Sequence, residues 1–172
     1  MTDAIKILKE EHQNILKVVG ALLTECAELE SGKKLDKDFF TKVINFIREY
    51  ADKFHHAKEE DILFIKMCEN PEQMHCDPTQ QMVHEHVLGR NFVKGMEEGI
   101  KKEDARMVID NSLGYANLIQ EHIFKEDNIL YPMAENGLSE GIKKNMLKEF
   151  KEVEKNYSEK KDKYLSFVKE VE

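Results

Sequence analysis

Two short segments of the chain carry a His followed four residues later by a Glu, and the segments resemble each other. His55-His-Ala-Lys-Glu59-Glu-Asp-Ile-Leu-Phe64 aligns with His122-Ile-Phe-Lys-Glu126-Asp-Asn-Ile-Leu-Tyr131 at an offset of 67 residues. Five of the ten columns are identical, and three more pair Glu with Asp, Asp with Asn, and Phe with Tyr. Residues four apart on a helix stand about 5–6 Å apart on one face. Each segment therefore offers an imidazole nitrogen and a carboxylate oxygen to one ion. A weaker match pairs Glu11-His12 with Glu85-His86, followed by Val19/Val93 and Leu22/Met96, at an offset of 74. The two repeats assemble six candidate metal ligands: His12, His55, Glu59, His86, His122 and Glu126. A carboxylate can bridge two ions, so the set suits a pair of metals. Nitrogen and oxygen donors without sulfur point to iron, manganese or zinc rather than copper(I) or an iron–sulfur cluster.

That chemistry requires all six side chains to face inward. At helical spacing His12 shares a stripe with Ile5, Leu8, Ile15 and Val19, and His55 and Glu59 lie with Ile44, Ala51 and Ile62. His86 lies with Met82, Val83, Val93 and Met96, and His122 and Glu126 with Tyr115, Leu118, Ile129 and Met133. A carboxylate buried in a bundle core needs an opposite charge or a metal. No Lys or Arg recurs on these stripes, which leaves a metal as the simplest partner. One inward His is more often a hydrogen-bonded core residue than a ligand, and shared ancestry alone also produces repeats. Two copies in register, each completed by a Glu-His pair, shift the balance to metal. His56 and Glu60 are also four apart, but they share a polar stripe with Asn45, Glu49 and Asp52. They read as solvated or supporting, so His56→Ala is expected to leave the metal content unchanged. His84 reads as surface, and His75, in a Pro-bounded loop, has no role. Asp127 is an alternative carboxylate to Glu126, and Tyr115, two turns before His122, is a candidate electron or proton donor.

Long helices must carry these residues. The apolar spacing predicts a first helix from an N-cap at Thr2 to Ser31-Gly32, and a second from near Asp36 to about Cys68. Asn70-Pro71 and Asp77-Pro78 bracket a loop. A third helix is expected from about Pro78 to Glu98-Gly99, and a fourth from about Glu103 to Asn136-Gly137, with Pro132 weakening its last turn. The predicted class is all-α, an antiparallel up-down-up-down four-helix bundle over residues 1–137. Residues 138–172 form an additional charged amphipathic helix, with Ile142, Met146, Phe150, Val153, Tyr157, Tyr164, Val168 and Val171 on one stripe. That helix is expected on the bundle or at an oligomer interface.

Composition removes other classes. Among 172 residues, 26 Lys and Arg against 34 Asp and Glu give a net charge of −8, which excludes a general nucleic-acid binder. Three Cys with no C-x-x-C pair give neither a disulfide framework nor a thiolate zinc site. The longest apolar run, around Val18 to Leu23, is too short to span a bilayer. The start, MTDAIKILKEEHQ, turns charged before an apolar signal core develops. The expectation is a cytoplasmic monomer or homodimer with no membrane or nucleic-acid partner.

Glu11-His12, His55-x-x-x-Glu59, Glu85-His86-Val-Leu-Gly-Arg90 and His122-Ile-Phe-Lys-Glu126, in this order, resemble the hemerythrin-like HHE cation-binding family over roughly residues 4 to 136. The resemblance implies a four-helix bundle holding two iron ions in an oxo- or hydroxo-bridged non-haem centre, with manganese or zinc as alternatives. It makes His12, His55, His86 and His122 terminal ligands, and Glu59 and Glu126 bridging or chelating ones. Oxygen-carrying hemerythrins have a further His where this chain has Met82, and place the fourth-helix carboxylate where it has Asp127. Glu126 fits the HHE spacing better, and the loss at Met82 leaves a coordination position open or filled by water or a carboxylate. Ferritin-like di-iron bundles use Glu-x-x-His, the reverse order at a different spacing. The function implied is binding or sensing oxygen, nitric oxide or peroxide, or handling iron. An enzyme that reduces peroxide or oxidises a small substrate, and an interaction bundle with a structural metal, are the other readings.

Overall fold

The computed structural model describes residues 1–70 and 77–172. Five long helices account for nearly all of them, with no strand among the described residues. We label them α1 (Asp3–Glu30), α2 (residues 37–68), α3 (Asp77–Lys102), α4 (residues 105–137) and α5 (Glu140–Val171). The chain is thus an all-α bundle with an added C-terminal helix, as the periodicity predicts. Side-chain caps start three of the helices. Asp36 accepts from the Phe39 amide at 3.0 Å, Asp104 from Met107 at 2.9 Å, and Ser139 from Ile142 at 3.4 Å. Thr2 makes no such cap bond. Its amide and hydroxyl both donate to Glu135, at 3.0 and 2.9 Å, and fasten the start of α1 to the end of α4.

Two glycines act differently at helix ends. Gly32 closes α1 with φ at 99°, in the left-handed region where a side chain is strained. Gly99 ends nothing, because α3 continues to Lys102. A Cβ at Gly99 would come within 2.8 Å of Val108 Cγ2 and 2.9 Å of its backbone nitrogen. Its bare Cα lets the first turn of α4 lie directly against α3.

The short connections make neighbours antiparallel: α3 packs along α4, α1 against α4, and α2 against α3. Helix α5 lies against α1 and α2. The buried apolar side chains form two clusters. One includes Ile15, Val19, Phe54, Val93 and Ile119, the other Leu8, Ile62, Met82, Leu130 and Tyr131. On each helix the His and Glu residues of the repeats fall at or next to the junction of the two clusters, forming a polar layer between two apolar ones. Helix α5 covers both clusters, with Tyr164, Phe167 and Val168 on the first and Met146 and Phe150 on the second. No helix among the described residues is long and apolar enough to cross a membrane.

Three stretches of the long helices are π-helical: Ile47–His56 and Glu59–Leu63 in α2, and Glu126–Leu130 in α4. The last two begin at the equivalent Glu of the repeat. A π turn takes up extra residues and shifts the faces of everything after it, and such turns gather at functional sites. Ile129, expected beside His122, is turned out and is 52 % exposed, while Leu130 and Tyr131 are buried in its stead. Pro132 lies just after the π segment, where its missing N–H leaves one helix hydrogen bond unmade.

Candidate metal centre

His12, His55, Glu59, His86, His122 and Glu126 are all fully buried, and they come from four helices. Two groups of possible ligand atoms adjoin each other. His12, His55, Glu59 and Glu126 make one; His56, Glu59, His86 and His122 make the other. In each group one ligand atom per residue lies within 4.8 Å of all the others, and Glu59 belongs to both. Each carboxylate spans the two hairpins. Glu59 Oε2 is 3.6 Å from Nε2 of both His55 and His86, and Glu126 Oε2 is 3.2 Å from His12 Nε2 and 3.3 Å from His122 Nε2.

Outside this inner set, a carboxylate stands behind each imidazole. Nδ1 of His12 faces Asp127 at 3.0 Å, that of His55 faces Glu11 at 2.9 Å, that of His86 faces Glu60 at 2.6 Å, and that of His122 faces Glu85 at 2.9 Å. With Nδ1–H donating outward, each Nε2 turns its lone pair to the centre, the arrangement that orients imidazoles on metals. The Nε2 atoms of His86 and His122 then confront each other at 2.9 Å. Glu59 Oε2 and both oxygens of Glu126 are buried with no hydrogen-bond donor among the described residues. A buried layer in which acceptors face acceptors is unfavourable by itself and favourable around cations. The donor set therefore fits one or two metal ions.

The pseudo-twofold relation extends to this outer ring. Glu11 and Glu85, each just before its own His, hold the His of the neighbouring helix. Glu60 and Asp127, each just after an inner Glu, hold a His of the other hairpin. Lys58 and Lys125, one column of the repeat, pair with Glu11 and Glu85. Lys58, which lies off the apolar stripes of the sequence, is wholly buried nonetheless, and its ammonium also lies 3.5 Å from the centre of the Phe54 ring. It neutralises Glu11 and leaves Glu59 and Glu126 uncompensated.

The titration of the metal-free layer reflects the same deficit. Burial, reinforced by the charge of Glu126, pushes Glu59 well above the usual carboxylate range. Burial also opposes ionisation of Glu126, but the charges of His122 and His12 hold it at about 2. For His12 burial favours the neutral ring, yet its bond to Asp127 and the nearby charge of Glu126 raise it to about 9. Burial lowers His55 and His86. Protons on Glu59 and His12 thus take the place of positive charge between the hairpins.

The family signature of the hemerythrin HHE cation-binding domain matches residues 3–134. The chain belongs to this family. Neither the curated proteins nor the solved structures include a significant match to it.

Several residues of this HHE domain lie elsewhere than their stripes predict. His56 is buried, and its ring stacks on His86 with centroids 3.7 Å apart and planes at 11°. The π-helical run that ends at His56 turns it inward, which α periodicity could not show. Tyr131 reaches the inner set: its hydroxyl donates to Glu59 Oε1 at 2.5 Å and lies 3.2 Å from His12 Nε2. Tyr115 does not touch Glu59 or Glu126. It lines a cavity of about 290 Å³ whose wall also includes His56, His86, Gly89, Arg90 and His122. Its buried hydroxyl has no partner among the described residues. Asp127 orients His12 instead of joining the inner set. His84 is exposed, and His75 lies outside the described residues. The one signal for the outer ring was the repeat itself, whose Glu60/Asp127 and Lys58/Lys125 columns match as well as the ligand columns do.

Proposed function

We propose that this HHE domain holds two iron ions in the polar layer and uses them to bind or sense a small ligand such as oxygen, nitric oxide or peroxide. The observation that carries the reading is the pair of adjoining His/Glu groups sharing Glu59, with inward Nε2 atoms and three carboxylate oxygens lacking donors among the described residues. Two positions bridged by carboxylates and capped by imidazoles suit iron, with manganese or zinc as the alternatives. When bound, an iron pair would supply a redox-active centre open to a diatomic molecule.

The protein's own contribution is orientation and seclusion. Four outer carboxylates fix the imidazole rings, and the apolar clusters above and below exclude bulk water. The Tyr131 hydroxyl donates to Glu59 and holds that carboxylate in place next to His12. The cavity beside His86 and His122 gives a small molecule a path to the layer.

The test is anaerobic loading with iron(II), a metal count, and absorption spectra after adding oxygen, nitric oxide and peroxide in turn. Two irons per chain and a spectral change with at least one of the three are expected. A chain that binds no metal, or binds it and responds to none of them, overturns the proposal. Repeated turnover of peroxide by the reduced protein, as opposed to a single stoichiometric oxidation, would mark it as an enzyme.

A further inference from the structure

We propose that His56 is a fifth imidazole ligand of the centre, completing the ion position that His86 and His122 form. The inference rests on the reading of the layer as a metal pair. It concerns a residue that the repeat does not supply, since the column of His56 holds Ile123 in the second copy.

Three observations support it. First, His56 is one of the four residues whose ligand atoms cluster within 4.8 Å, with Glu59, His86 and His122. Second, its Nε2 is buried and has no hydrogen-bond partner among the described residues. A His kept only for packing would satisfy both ring nitrogens, and the Ile123 column shows that an apolar side chain fills the same place in the other hairpin. Third, Nδ1 of His56 faces Asp52 at 3.4 Å, and Arg90 holds the same Asp52 oxygen by bonds of 2.9 and 2.6 Å. His56 thus has a carboxylate behind it, as the other four inward imidazoles do, and the free nitrogen is the one a metal would take.

The two ion positions are then unequal. One has His12 and His55 with Tyr131 nearby, and the other has His56, His86 and His122. Helix α2 thereby supplies a nitrogen to the position from which Met82 of α3 withholds one.

The decisive experiment loads the whole chain with zinc and counts metal-bound imidazoles by long-range nitrogen–proton NMR on histidine-labelled protein. Five rings bound through Nε2 are expected. Two zinc ions with four bound rings and a free His56 overturn this inference while the metal reading stands; no bound zinc overturns both. A second line uses His56→Ile, which copies the residue of the other repeat and should keep the fold. Outer partners of ligand imidazoles are typically worth 10–100-fold in affinity, so loss of a direct ligand should weaken one of the two zinc equivalents at least tenfold and leave the other unchanged. In His56→Ala, added imidazole should restore it through the adjoining cavity. If His56→Ile binds both equivalents as tightly as the natural chain, the inference is wrong; if it does not fold, the NMR count in the natural chain decides.

Discussion

Glu11→Gln and Glu85→Gln are the same change at related positions of the repeat, and they should agree in metal affinity while differing in folding. Each removes the charge that accepts Nδ1–H from an inward imidazole, His55 in one case and His122 in the other. Loss of such an outer partner costs about 10–100-fold in metal affinity, or about 1.4–2.7 kcal/mol. The lysines make the difference. Lys58 is wholly buried, and Glu11 is its ion-pair partner, so Glu11→Gln strands an ammonium in the core. Breaking a buried pair from one side costs about 3–5 kcal/mol, a large part of the roughly 5–15 kcal/mol that holds a domain together. Lys125 is 34 % exposed and can turn to water, so Glu85→Gln should cost at most about 1 kcal/mol of stability. The assay is urea unfolding of the metal-free variants by circular dichroism, with zinc titrations beside it. Both are run at pH 8, above the value of about 7 to which burial lifts Glu11, so that the pair is charged. Adding Lys58→Met to Glu11→Gln should recover most of the stability and none of the affinity. Equal destabilisation by the two single variants, or undiminished zinc affinity in Glu85→Gln, would refute the reasoning.

Removing residues 138–172 should abolish cooperative folding of the remainder. Helix α5 buries Met146, Phe150, Tyr164, Phe167 and Val168, together worth about 7–15 kcal/mol at roughly 1.5–3 kcal/mol each. A cooperative thermal transition near that of the whole chain would count against this. Gly99→Ala should destabilise by about 1–3 kcal/mol, because its Cβ meets the Val108 backbone. Gly20→Ala, with open space around it, should be stabilising by about 0.5–1 kcal/mol in the same urea midpoints. Glu49 is held at about 2, first by its bond to Lys53 and then, against burial, by Lys160 and Tyr157 of α5. Its folded value lies below its ordinary 4.5, so its contribution is complete above that pH and is lost as pH falls toward 2. Near-ultraviolet circular dichroism of the tyrosines should show α5 loosening over that interval, and Glu49→Gln should blunt the change.

The sequence by itself determined the helices, the two-hairpin repeat and a nitrogen-and-oxygen donor set. These are local properties. Helical spacing sets which residues share a face, and the repeat aligns His55 with His122 and Glu59 with Glu126 whatever their neighbours are. It also carried the family. Where α periodicity breaks, the reading failed: the π turns at Ile47–His56 and Glu126–Leu130 bring His56 and Tyr131 inward and turn Ile129 out. The sequence placed α5 on the bundle or at an oligomer interface, and the packing shows it lying along both apolar clusters. Only the tertiary structure decided which carboxylate stands behind which imidazole, since Glu60 reaches His86 and Asp127 reaches His12 across hairpins. It alone buried Lys58 against Glu11. Such pairings depend on helix separation and on the register between helices, and these are fixed by packing the apolar clusters above and below the polar layer.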